Sequence, residues 1–129
     1  SYLTIEHRGE IAPELAGDVR DWIFGCDVCQ EVCPWNRKAA TTRETTFAAA
    51  EPSPSLGEIL EMDDAAFRQR FRGTALRRAR RAGLVRNAAL AAGNLGLRET
   101  VPLLRRLASD ADDGVRAAAT WALARLGDD

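Results

Sequence analysis

The sequence predicts a mainly α-helical protein in which a short cysteine-bearing segment precedes a stack of helix pairs. Three observations carry that expectation: three cysteines confined to one turn near the start, a run of arginines in the middle, and a 31-residue repeat of small and aliphatic residues towards the end. With 129 residues, 46% of them hydrophobic, the chain suits one modest domain or a small domain with an appendage, and it can build a core without cross-links.

Taken in order, residues 1–5 alternate and include Thr4 and β-branched Ile5, which favours a short strand or extended segment, and Glu6-His7-Arg8-Gly9 reads as a turn. Residues 13–24 suit a helix, because Pro13 fits a first turn and Leu15, Val19, Trp22 and Ile23 recur at helical spacing; Gly17 is the point where it divides. Gly25 then frees the backbone for Cys26-Asp27-Val28-Cys29-Gln30-Glu31-Val32-Cys33-Pro34-Trp35-Asn36. Residues 27–32 form one or two helical turns, ended by Pro34.

The order C-x-x-C-x-x-x-C-P is three quarters of a bacterial ferredoxin ligand run, whose earlier cysteine position is filled here by Ile23. Two thiolates on a tight turn grip adjacent irons, while Cys33, about one helical turn further on, points elsewhere. Two other readings use the same residues. Cys26, Cys29 and Cys33 with His7 make a Cys3His zinc set, and three ordinary thiols need no metal at all. The C-P ending and the confinement of every cysteine to one turn favour iron and sulfur over both. An odd count with no partner elsewhere argues against a disulfide framework.

Beyond the cysteines, residues 39–54 lack periodicity and form a connector. Ser55 caps a helix bearing Leu56, Ile59 and Leu60; Asp63 or Asp64 caps the next, where Phe67 and Phe71 stack at i, i+4; Gly73 closes that helix and Thr74 caps another. Leu84, Ala88, Ala91, Leu95 and Gly96 return 31 residues later as Val115, Ala119, Ala122, Leu126 and Gly127. A helix around residues 101–108 lies between them, with Pro102 in its first turn. This is a helix-pair solenoid, in which alanines permit close approach, Leu90 and Trp121 supply bulk, and the cysteine region or an upstream part caps the open end.

Formal charge is -1 overall, yet residues 1–66 carry 5 basic and 13 acidic side chains and residues 67–129 carry 13 and 6. Eight arginines, Arg68, Arg70, Arg72, Arg77, Arg78, Arg80, Arg81 and Arg86, follow one another with no acidic residue among them. That density suits a polyanion, because arginine makes bidentate phosphate contacts and binding releases counterions. Nothing in the run encodes base specificity. A single histidine excludes a two-histidine metal site, and no Gly-rich loop forms a phosphate cradle. The absence of a long apolar run or leader makes the cytoplasm the default location, with no membrane partner.

With these residues in place the sequence resembles the epoxyqueuosine reductases. The segments that carry the resemblance are Ser1-Tyr2-Leu3-Thr4-Ile5-Glu6-His7-Arg8-Gly9, the cysteine turn through Trp35-Asn36, Arg86-Asn87-Ala88 and Gly93-Asn94. The resemblance implies residues 1–44 as the second half of a ferredoxin-like 4Fe-4S insert, 45–62 as connector and short helix, and 63–129 as HEAT-like repeats. It implies two [4Fe-4S] clusters, with Cys26 and Cys29 on one and Cys33 on the other, and cobalamin held mainly by an upstream part. It also implies an electron donor and a transfer RNA anticodon stem-loop as partners, the latter held by the eight arginines. The expected whole is an enzyme that reduces epoxyqueuosine to queuosine at the wobble position. The 129 residues are then its carboxyl-terminal part, inactive alone, with five further cysteines upstream. The alternatives are a HEAT-type RNA or protein binding module with a structural metal site, and a reductive dehalogenase; C-P-W-N argues against the first, and repeats with an arginine belt against the second.

Overall fold

Small residues at helical spacing set the architecture. The computed structural model describes residues 1–47 and 52–128, and among them the regular structure is helical, with no strand. The helices are α1 Tyr2–Ile5, α2 Pro13–Ala16, α3 Val28–Glu31, α4 Leu56–Glu61, α5 Asp64–Arg70, α6 Arg80–Leu95, α7 Val101–Leu107 and α8 Asp113–Leu126, with 3-10 turns between several of them. None of the described helices is long and apolar enough to cross a membrane.

Helix α6 is the axis of the molecule. Every residue from Gly83 to Gly93 is buried, as in a helix covered on all sides rather than along one stripe. Against it pack α8, α4, α1 and the 3-10 turns Gly17–Val19 and Ala75–Ala79, while α7 fills the angle between α8 and α4. The α6–α8 contact is close because Gly93 faces the Ala122 backbone; an added Cβ would lie 3.0 Å from Ala122 Cα and 3.0 Å from the Trp121 ring. Trp121 is half-buried against this core and carries Arg125 over its outer face, 5.3 Å from the ring centre.

The repeat is present to the hydrogen bond. Helix α6 ends at Gly96 (φ 71°) and α8 at Gly127 (φ 73°), both left-handed. Leu97 N donates to Ala92 O at 3.0 Å, and Asp128 N to Leu123 O at the same distance, so equivalent residues close both helices in one motif. The other caps follow the sequence. Ser55 and Glu58 form a reciprocal box, Asp63 Oδ1 accepts from Ala66 N at 2.7 Å, and Asp112 Oδ1 accepts from Val115 N at 3.1 Å. Phe67 and Phe71 meet edge to face at 5.3 Å, both buried.

Two local expectations are corrected and a third is refined. Residues 1–5 are not extended: α1 is a helical turn in which the Thr4 hydroxyl bonds back to Ser1 O at 3.0 Å, so tertiary and local hydrogen bonding outweigh β-branched preference. The helix foreseen over 13–24 stops early, as α2 passes into the 3-10 turn Gly17–Val19 and the chain turns away at Arg20 with φ 55°. Thr74 does stand at the N-cap of the 3-10 turn Ala75–Ala79, but its side chain makes no cap bond and its hydroxyl returns to Phe71 O at 3.0 Å. Of the connector foreseen over 39–54, residues 48–51 lie outside the described residues, and the described part holds the 3-10 turn Thr45–Phe47.

Candidate iron–sulfur segment and arginine surface

Glycine and asparagine shape the cysteine turn. Gly25 (φ 79°) turns the backbone out of the half-buried Trp22–Phe24 stretch and into Cys26. Cys29 lies on α3 and is exposed, and Cys26 and Cys33 flank that helix, half-buried. Beyond Pro34, Asn36 Nδ2 donates to Gln30 O at 3.0 Å and to Gln30 Oε1 at 2.8 Å, and Asn36 N donates to Cys33 O at 3.1 Å. The asparagine of C-P-W-N therefore folds the chain back over α3. Trp35 is 86% exposed, with Val28 and Val32 exposed nearby on α3 and its C-cap.

All three cysteines are free thiols. Among the described residues no three Cys, His, Asp or Glu side chains converge on one point. The His7 ring is engaged elsewhere, Nε2 donating to Glu10 O at 2.7 Å. A cavity of about 460 Å³ opens beside Cys26, between Ser1, Tyr2, Trp22, Gly25 and Val28. Its position brings the Cys26 side of the turn and the Ser1 end of α1 to one space. Of the three thiols, Cys26 lines this open, partly apolar cavity, and accessible thiols of this kind suit an iron–sulfur cluster that takes further ligands from outside these residues.

Distant partners divide the eight arginines into two groups. Arg86 is 2% exposed and belongs to the core. Its Nη1 donates to His7 O (3.0 Å) and Gly9 O (2.8 Å), its Nη2 to Leu3 O (2.6 Å), and Nε and Nη2 both reach Asn87 Oδ1. Burial pushes its pKa down, with a nearby Arg8 adding to the effect and Asp112 opposing it. Arg81 grips Asp110 with two nitrogens, at 3.0 and 2.8 Å, and donates through Nε to Met62 O. Arg86 is buried and Arg81 largely so, and each guanidinium is engaged by partners inside the fold.

The remaining six lie at the surface. Arg78 pairs with Glu6 at 2.5 Å, and Arg70 donates to Pro52 O. Arg68, Arg72, Arg77 and Arg80 are exposed and form no ion pair with a described residue. Arg80 has φ 61° at the start of α6, a costly conformation for a side chain of its size. The junction it occupies is pinned by Arg8, which donates to Arg78 O at 2.7 Å and Ala79 O at 3.5 Å.

Sequence reasoning missed the side chains that tie the cysteine region to the repeats: Thr4, Arg8, Asn87 and Asn94. Asn87 Nδ2 donates to Thr4 O and Ile23 O, both at 2.8 Å, and Asn94 Nδ2 donates to Ala16 O and Arg20 O, both at 3.0 Å. Their signal was available as two asparagines on the otherwise small and apolar stretch of α6, where an amide needs a partner.

Known proteins share both halves of this arrangement. Residues 1–36 match the 4Fe-4S double cluster binding domain and residues 71–129 match HEAT repeats. An epoxyqueuosine reductase of Xanthomonas campestris is 36% identical over 130 residues, covering 98% of this chain and 37% of the relative. That of Escherichia coli is 40% identical over 103 residues, covering 78% and 27%. A crystal structure of epoxyqueuosine reductase with a tRNA-Tyr epoxyqueuosine-modified tRNA stem loop superposes with a TM-score of 0.87 at 27% identity, covering 99% of this chain and 35% of that one. The Streptococcus thermophilus enzyme gives 0.83 at 26% identity, covering 98% and 34%. The chain thus spans between a quarter and two fifths of the length of these relatives. Sequence and fold agree over nearly all of its residues, and the chain belongs to the epoxyqueuosine reductase family.

Proposed function

We propose that these 129 residues serve as the carboxyl-terminal part of a cytoplasmic reductase that converts epoxyqueuosine to queuosine in transfer RNA, and that they are inactive without the rest of it. The observation that carries this reading is that the segment leading into a C-x-x-C-x-x-x-C-P turn is bonded to arginine-bearing helical repeats, in the fold shared with a reductase solved on a modified tRNA stem loop. A stand-alone binding module has no use for that turn.

Cys26 and Cys29 hold one [4Fe-4S] cluster and Cys33 a second; the other ligands, the cobalamin site and the contact with the electron donor belong to parts of the enzyme outside these residues. When bound, the clusters supply one-electron transfer and cobalamin supplies the reducing centre for the epoxide. This chain's own work is to hold and orient. Gly25 and Asn36 fix the two ends of the cysteine turn. Arg68, Arg70, Arg72, Arg77, Arg78 and Arg80 hold the stem by its phosphates, which sets orientation without reading sequence, and leaves the unpaired loop base free to enter the reducing site.

The test uses the full-length reductase. Arg72→Glu with Arg77→Glu is expected to weaken stem-loop binding at least about tenfold at low salt and to flatten the dependence of log affinity on log salt by roughly one unit per lost contact. Iron content stays unchanged. Equal affinity and slope in variant and parent would remove the arginine surface from this account.

A further inference from the structure

A short path of hydrogen bonds runs from the centre of α6 to the cysteine turn. Asn87, fully buried, is oriented by two contacts from the Arg86 guanidinium and donates to Thr4 O and Ile23 O, both at 2.8 Å. Thr4, 5% exposed, then passes the restraint on through its side chain: Gly25 N donates to Thr4 Oγ1 at 3.0 Å, while the hydroxyl proton faces Ser1 O at 3.0 Å and Gly25 O at 3.3 Å. Gly25 is the left-handed residue immediately before Cys26, and both line the cavity beside the turn. Asn87 thereby holds the strand of chain leading into Gly25, and Thr4 holds Gly25 itself.

Burying a guanidinium opposite carbonyls rather than a carboxylate is a costly way to fasten one segment to another. Apolar side chains would hold the same surfaces together but would leave their register free. Directional bonds to Leu3, Thr4, His7, Gly9 and Ile23 carbonyls fix register. Metal ligands depend on such outer contacts for their orientation.

Resting on the cluster assignment above, we infer that Thr4, backed by Asn87 and Arg86, is a positioning residue for the cluster held by Cys26 and Cys29. The helical repeats do more than carry RNA contacts; their central helix sets the angle at which the first thiolate of the turn meets its iron. Loss of the Thr4 hydroxyl leaves the Gly25 N–H unpaired and lets the turn relax, which loosens the cluster and alters its electronic signature.

The full-length reductase, reconstituted with iron and sulfide without oxygen, provides the test. Thr4→Val keeps shape and removes the hydroxyl, and Thr4→Ser restores it. Thr4→Val is expected to speed chelator-driven bleaching of one cluster by about 10- to 100-fold and to shift the electron paramagnetic resonance of that cluster when reduced. Circular dichroism and stem-loop affinity stay at parental values, and Thr4→Ser recovers the parental spectrum. Thr4→Ala carries the same expectation and serves if Thr4→Val does not fold. Parental bleaching and spectrum in Thr4→Val, with one cluster's iron lost in Cys26→Ala, overturn the positioning role and leave the cluster assignment standing. Full iron retained in Cys26→Ala overturns both.

Discussion

The two ends of the molecule are held together by different forces. Helices α6 and α8 meet closely where Gly93 faces Ala122, and the buried Ala88 and Ala119 on the same two helices likewise have almost no side chain to order. Residues 1–25 contribute few fully buried apolar side chains, Ile11, Ala16 and Val19 among them. Their backbone is instead caught by side chains reaching out of the helical stack: Arg86, Asn87 and Asn94 donate to seven carbonyls of this segment. A packed interface tolerates small slips, whereas one made of directional bonds defines where each carbonyl sits. The part that carries the thiols has the second kind.

The sharpest way to break that contrast is to remove Arg86. Arg86→Ala strands the Leu3, His7 and Gly9 carbonyls and frees Asn87 to turn. Because a buried acceptor left unpaired costs about 1–3 kcal/mol and these three bonds are part-buried, the low end applies to each, and a loss of about 3–5 kcal/mol is expected in denaturant unfolding. Hydrogen exchange should show where it falls, with amides of residues 1–25 losing protection while those of α8 keep theirs. Equal loss in both regions would mean that the two ends are one cooperative unit.

A smaller effect is expected at Gly114, in the first turn of α8. An added Cβ would sit 2.4 Å from Gly9 O and 2.6 Å from Gly9 C. Alanine normally stabilises a helix by about 1 kcal/mol relative to glycine, so propensity and packing oppose each other here. Backbone cannot rotate away as a side chain can, and packing wins: Gly114→Ala should destabilise by about 1–3 kcal/mol. The same substitution sharpens the comparison, because it should push the Gly9 loop off α8 while leaving α8 helical by circular dichroism. A stabilised variant would show that the Gly9 loop moves freely.

How much of this could be read in advance follows from the range of the signals. The paired helices were legible because their information is local: Gly96 and Gly127 end them, Asp63 and Ser55 begin others, and each effect acts within a turn or two. The cysteine turn was legible from spacing for the same reason. The arginines were half legible. Composition shows their density, but the groups that withdraw two of them lie far along the chain, Asp110 at 29 residues from Arg81 and the carbonyls of Leu3, His7 and Gly9 at 77 to 83 from Arg86. Thr4 and Ile5 misled, because β-branching speaks for extended chain, whereas a helical turn docked on α6 satisfies more of the backbone.

The smallest of the expected effects isolates the helical end by titration. Asp110 lies between α7 and α8, and its half-buried carboxylate joins Arg81 at the start of α6, which in turn holds Met62 O after α4. Burial by itself would raise the Asp110 pKa; the Arg81 hydrogen bond, the Asp112 N–H and the charges of Arg81 and Arg116 outweigh it and hold the group below its ordinary value. A folded pKa below the unfolded one means that the unfolded chain takes up the proton first on acidification, so this contribution is complete above about pH 3.9 and is lost as pH falls through the lower folded value. Asp110→Asn should therefore cost about 1–2 kcal/mol at neutral pH, at the lower end for a charged hydrogen bond. The difference from the parent should shrink towards zero in acid, while exchange in residues 1–25 stays unaltered. A difference that persists unchanged below pH 3 would assign the cost to shape rather than charge. Spread of the effect to the cysteine segment would show that the ion pair, too, reaches across the boundary between the two ends.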